Sequence, residues 1–175
     1  MKHKKFARLI LFAGLTVALP ATAHVSFETK SVEAGAMQVI GFGVFHGCEG
    51  AATVEVSIEI PAGLKQVRPR NLAGWDVSIE KEALEIPYML HGMEVAERVS
   101  RITWSGGNLP DFAFQKFEFN ARFPDRADET LYFPVRQTCE EGEIIWASHA
   151  GPHEAEFPAP RIQLTPAAMQ DSQHH

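Results

Sequence analysis

The residue with most to offer chemically is His24, which follows Ala21-Thr22-Ala23. Cleavage after Ala23 would make it the first residue of the chain. An N-terminal histidine carries two nitrogen donors, the α-amine and imidazole Nδ1, which close a six-membered chelate on one metal ion. The amine has a pKa of about 8 in model peptides, so a divalent metal displaces its proton near neutral pH. Nitrogen donors in a tetragonal arrangement favour Cu(II), which also heads the divalent affinity series. The bland alternative is that some residue must follow any cleavage site, and a histidine there can be idle.

Further candidate donors are His46, His91, Met89, Met93, His149 and His153. His149 and His153 stand at the i, i+4 spacing of one helix face, but Gly151 and Pro152 lie between them and argue against a helix. Met89-Leu90-His91-Gly92-Met93 places soft donors two apart, on one face if the segment is a strand, a set suited to Cu(I). Packing or a turn is the commoner use of such residues. Cys48 and Cys139 are the only cysteines. An exported chain makes a disulfide between them the first expectation. The alternative, a thiolate copper site with His46 close to Cys48, lacks the Cys–His–Met cluster expected after Cys139. There is no G-x-S-x-G, and Ser105-Gly106-Gly107 has the form of a turn. Glu140-Glu141 reads as solvated charge rather than an acid/base couple. No phosphate loop and no nucleic-acid patch are present.

The elements that must position these residues are strands. In Thr53–Ile60 the apolar Val54, Val56, Ile58 and Ile60 alternate with Glu55, Ser57 and Glu59, the period of a half-buried strand. Phe117, Phe119, Ala121 and Phe123 alternate in the same way with Glu118, Asn120 and Arg122. Shorter candidates are Val25–Thr29, Gln38–Phe45, Trp75–Lys81, Arg98–Trp104, Thr130–Arg136, Glu143–Ala147 and Arg161–Thr165. Turn residues separate most of them, as in Asn71–Gly74, Ser105–Pro110 and Pro124–Asp128. About nine short strands without a convincing long helix predict an all-β antiparallel sandwich, with a closed barrel as the architectural alternative.

Of the 175 residues, 45% are hydrophobic, enough for one domain with a sizeable core. Residues 1–23 read as a signal peptide: a basic start (Lys2, Lys4, Lys5, Arg8), an apolar run from Leu9 to Leu19, Pro20, and an A-x-A site. The apolar run is shorter than the roughly 20 residues of a spanning helix. Without the leader, 12 basic side chains face 22 acidic ones, a net charge of −10, which excludes generic polyanion binding. The expected organisation is a cleaved leader over 1–23, a β-sandwich domain over 24–166 and a frayed tail over 167–175, exported to the periplasm or the cell exterior.

One set of landmarks spans nearly the whole of that domain: Ala23-His24-Val25-Ser26, His46-Gly47-Cys48-Glu49-Gly50, Thr53-Val54-Glu55-Val56, Ile60-Pro61-Ala62-Gly63, Gly74-Trp75, Ile102-Thr103-Trp104-Ser105-Gly106-Gly107, Gln137-Thr138-Cys139-Glu140 and Trp146. In order and spacing the chain resembles the YcnI-like exported copper-binding proteins. The resemblance implies an immunoglobulin- or cupredoxin-like sandwich that binds Cu(II) through its N-terminal histidine in a single-histidine brace. Mapped here, His24 and a glutamate, best matched by Glu55, are the ligands, and Trp146 lies beside the metal. Glu28, Glu59 and Glu143 are the substitutes for Glu55. The implied role is a non-enzymatic copper carrier, chaperone or sensor beside a membrane copper importer or another exported copper chaperone. Two other classes compete: a copper oxidase or oxygenase, for which His46 or His149 would supply a second histidine, and a structural sandwich that binds partner proteins.

Overall fold

The computed structural model describes residues 25–150 and 157–168. The expected leader and its expected cleavage site, His24, His153 and residues 169–175 lie outside the described residues. The described chain forms twelve strands and no helix: β1 (Ser26–Phe27), β2 (Ser31–Glu33), β3 (Met37–Val44), β4 (Thr53–Glu59), β5 (Lys65–Pro69), β6 (Asp76–Leu90), β7 (Met93–Leu109), β8 (Gln115–Arg122), β9 (Thr130–Tyr132), β10 (Val135–Cys139), β11 (Glu143–Trp146) and β12 (Arg161–Thr165). No helix among the described residues is long and apolar enough to cross a membrane.

The expected all-β sandwich is what forms. One sheet has the order β1-β3-β8-β5 and a second the order β11-β10-β4-β7-β6, while β2-β12-β9 make a small third sheet. The two larger sheets meet through aromatic side chains. Phe42 of β3 lies edge-on to Trp104 of β7 at 6.1 Å and stacks on Phe117 of β8 at 5.7 Å. Such contacts are favoured by the ring quadrupoles and add to the area buried. Phe27 of β1 meets Phe133 at 4.9 Å, tying the first strand to the segment between β9 and β10.

The period of two holds where one face of a strand is buried. Phe117, Phe119 and Ala121 of β8 are buried, as are Val56 and Ile58 of β4. The start of β4 departs from the pattern. A register shift between Thr53 and Glu55 turns Thr53 inward, where it is fully buried, and leaves Val54 only half-buried. An extra residue in one strand reverses the alternation at that point.

The larger departure is the β6–β7 hairpin, which extends well beyond the expected Trp75–Lys81 and Arg98–Trp104. Its outer half is exposed, so no buried face imposes a pattern on the sequence, and register shifts at Glu80/Lys81 and Ala83/Tyr88 break what alternation remains. The expected strand Thr130–Arg136 is divided into β9 and β10, which enter different sheets.

Candidate metal centre

Four segments converge at one end of the sandwich. The first is the start of the described chain. Ser26 pairs with Gly43 and Phe27 with Phe42 in an antiparallel ladder. Each step back along β1 is therefore a step forward along β3, so the ladder points the start of the described chain towards the end of β3 and the loop that follows it. The second segment is the loop from Phe45 to Ala52, which carries His46. The third is the end of β11 with Trp146, and the fourth is Phe157–Pro158. The Trp146 indole is 2% exposed and lies 6.2 Å from the His46 ring and 5.3 Å from Phe157. Val25 and Pro158 line one shallow cavity with Ala150 and Arg161.

The His46 loop is held by several independent bonds. Gln137 of β10, fully buried, donates from Nε2 to the carbonyl of His46 at 2.7 Å and to Thr53 Oγ1 at 2.8 Å. Its Oε1 accepts from Trp146 Nε1 at 3.4 Å, so one side chain ties the backbone at His46 to the indole. The inward turn of Thr53 at the β4 bulge is what completes this group. Asp111 Oδ1 accepts from the Gly47 amide at 2.8 Å. A Cβ on Gly47 would lie 1.8 Å from the carbonyl oxygen of Ala51, so only glycine fits this tight part of the loop. Cys48 is disulfide-bonded to Cys139, as expected, with Cα atoms 5.9 Å apart. The bond fastens the loop to the end of β10.

The imidazole of His46 has a defined tautomer. Its Nδ1 lies 2.7 Å from the carbonyl oxygen of Gly47. A carbonyl only accepts, so Nδ1 carries the proton, and in the neutral ring the lone pair falls on Nε2. Metal-binding histidines commonly have this arrangement, with one ring nitrogen donating to a backbone carbonyl and the other facing the metal.

Glu55 and Trp146 are not brought together. Glu55 pairs with Thr138 of β10 and Ser105 of β7, and this row lies on the outer face of the five-stranded sheet. Trp146 pairs with Val135, which pairs with Ile58, and both partners are buried on the inner face. Glu55 lines an outer-face groove with Arg101 and Arg136. The other acids are held in ion pairs: Glu28 with Lys116 at 2.7 Å, Glu59 with Arg101 at 3.1 Å and Glu143 with Arg136 at 2.8 Å.

The methionine–histidine segment is a hairpin tip rather than a single strand. Leu90 pairs with Met93 and Met89 with Glu94, which puts the two methionine side chains on opposite faces. The His149 ring stacks on Tyr132 at 4.3 Å. Among the described residues no three His, Cys, Asp or Glu side chains gather closely enough to hold a metal ion. Sequence reasoning passed over Gln137 and Asp111. A glutamine two residues from Val135 and two from Cys139, the spacing of one strand face, was the available signal for the first, and Asp111 had none.

The architecture is that of an immunoglobulin-like β-sandwich with an imidazole and an indole gathered where its first strand begins. The chain belongs to the family described as Domain of unknown function (DUF1775), whose model matches residues 24–164. It is 25% identical over 158 residues to the Copper-binding protein CutI of Bacillus subtilis (strain 168), spanning 89% of this chain and 69% of that protein. It is also similar to the crystal structure of an uncharacterized protein from Nocardia farcinica that reveals an immunoglobulin-like fold. That match has a TM-score of 0.61 at 25% identity and covers 81% of this chain and 98% of the other.

Proposed function

We propose that the protein is an exported Cu(II)-binding carrier, chaperone or sensor without catalytic activity. Cleavage after Ala23 exposes the α-amine of His24, which chelates the ion together with its own imidazole. Trp146 stands beside the ion and limits access of water and external ligands. It takes no part as a ligand, because a neutral indole Nε1 only donates hydrogen bonds. The observation that carries this reading is the β1–β3 ladder, which leads the start of the domain to the end where His46 and the Trp146 indole meet. The relative named as a copper-binding protein supports the choice of metal. Glu55 is the carboxylate implied by the resemblance. Its place on the outer face argues for seeking a donor nearer to Trp146. The ion would be exchanged with a membrane copper importer or another exported chaperone.

The test is Cu(II) electron spin resonance on protein beginning at His24, set against protein with one extra N-terminal residue. The extra residue turns the amine into an amide and removes half of the chelate, so affinity should fall strongly and the spectrum should change. Equal affinity and identical spectra would overturn the N-terminal site. A second reading, a copper oxidase, is favoured by a second histidine at the same end. Ascorbate oxidation or peroxide consumption well above that of free copper would select it.

A further inference from the structure

We infer that the groove on the outer face of the five-stranded sheet is a binding site for a primary ammonium group on an alkyl stem, held by Glu55, Ser57 and Thr103. The site is separate from the copper reading above and uses the carboxylate that the strand register leaves on the face opposite Trp146. Three observations carry it. The first is an unused hydroxyl. Ser57 of β4 is only 9% exposed, yet it lines the groove and its side chain has no hydrogen-bond partner among the described residues. Buried polar groups are nearly always paired, so a hydroxyl left open to a groove is a place for a ligand atom or a water. The second is arrangement. Ser57 pairs with Thr103 of β7, and Glu55 stands two residues before Ser57. Opposed side chains in antiparallel strands have Cβ atoms about 5 Å apart. Residues two apart along a strand share a face, so one carboxylate and two hydroxyls gather at one corner of the groove. The third is charge. Arg101 is neutralised by Glu59 at 3.1 Å and Glu80 at 3.3 Å, and Arg136 by Glu143 at 2.8 Å. Glu55 is the charged side chain lining the groove that has no counter-ion among the described residues.

The donor set selects the ligand. An ammonium has three N–H donors and no acceptor, which matches three acceptors around one point, whereas a guanidinium is a planar fork that calls for a bidentate partner. An anion would face Glu55 and find both guanidinium groups already engaged. Ile145, 47% exposed, lines the same groove and offers an apolar surface for an alkyl stem. The groove encloses about 330 Å³, room for one aminoalkyl chain. The lysine side chain of a partner peptide and a free polyamine share this chemistry.

The experiment is an amide NMR shift titration of the metal-free protein. The probes are cadaverine, N-acetyl-lysine amide, N-acetyl-arginine amide, pentanol and acetate. Saturable shifts at Glu55, Ser57 and Thr103 are expected with the two ammonium probes, weaker binding with the arginine probe, and none with pentanol or acetate. The tighter of the two ammonium probes tells a polyamine from a peptide side chain. Binding should weaken as salt rises. Glu55→Gln and Ser57→Ala should each weaken it by about threefold to fivefold, the scale of a solvent-screened ion pair. Ser57→Ala breaks no side-chain hydrogen bond among the described residues, so its unfolding midpoint should stay at that of the parent. No saturable shift with either ammonium probe, or equal affinity in Glu55→Gln, overturns the inference. Tighter binding of the arginine probe or of acetate overturns it too. Displacement of the bound ammonium by one equivalent of Cu(II) would assign Glu55 to the metal and overturn it as well.

Discussion

Replacing Gln137 with leucine separates what this side chain does for the fold from what it does for the site. Leucine has nearly the same volume and fits a fully buried position, so the change deletes polar contacts with little change in packing. It strips the His46 carbonyl and Thr53 Oγ1 of bonds of 2.7 and 2.8 Å, and the Trp146 indole of a longer one at 3.4 Å. Each well-formed bond lost from a buried partner costs about 1–3 kcal/mol, and the long third bond less. Burying leucine returns about 1–2 kcal/mol. The net loss expected is about 2 kcal/mol, or roughly 4–8 °C in Tm for a domain of this size. No ligand is removed, yet Cu(II) affinity should fall as the His46 loop loosens. Gln137→Glu sharpens the test. An ionised carboxylate cannot donate to the His46 carbonyl, and burial raises the pKa of the new acid above its unfolded value. Its deficit relative to the parent should be smallest below the ordinary glutamate range and grow as pH rises. Guanidinium unfolding with Cu(II) titration reads all of this. A Gln137→Leu variant as stable as the parent, with unchanged copper affinity, would refute the idea that this glutamine organises the site.

Removing the disulfide by Cys48→Ala/Cys139→Ala opens a loop of 91 residues; the chain-entropy relation gives a loss of about 4–5 kcal/mol, read as a lower unfolding midpoint, and two free thiols by mass spectrometry in periplasmic protein would contradict the bond itself. Cu(II) should quench tryptophan fluorescence in the parent and much less in Trp146→Phe, since Trp75 and Trp104 belong to the Phe117 cluster; equal quenching would place the metal away from Trp146. Glu118 is held below the usual carboxylate range, first by its hydrogen bond from Arg70 and then by that from Lys116. A depressed pKa gives stability that is present above the unfolded value and lost as pH falls through the folded one. Glu118→Gln should therefore cost up to about 1 kcal/mol at neutral pH and nothing once the parent acid is protonated. A deficit that persists at low pH would mean that the loss is one of packing.

Most of the sandwich was legible because burial on one face leaves a period of two in the sequence. β4 and β8 show it, and so do the shorter strands wherever one side packs on the aromatic core. The outer half of the β6–β7 hairpin was not legible for the converse reason: with both faces in solvent, Glu80 to Glu85 carries no alternation to read. β2 and β5 are short, and their partners lie in distant parts of the chain. The disulfide was legible from a count of two cysteines and the expectation of export, whereas the loop it clamps was not, because Gly47 is demanded by the approach of Ala51 and not by a turn motif.

The placement of Glu55 shows most clearly where reading by alternation stops. Period two correctly put Glu55 on the polar side of β4, and a metal ligand was sought there. Which side of β4 faces Trp146 is a question of register between strands. The pairs Thr138–Glu55 and Val135–Trp146 answer it only once β4, β10 and β11 are laid side by side. Three residues along β10 separate Val135 from Thr138, an odd number, so their partners point to opposite faces. A shift of one residue in either pairing would have put the carboxylate and the indole on one side of the sheet. As the strands pair, Glu55 stands on the outer face, and the ring beside the Trp146 indole is that of His46, 6.2 Å away.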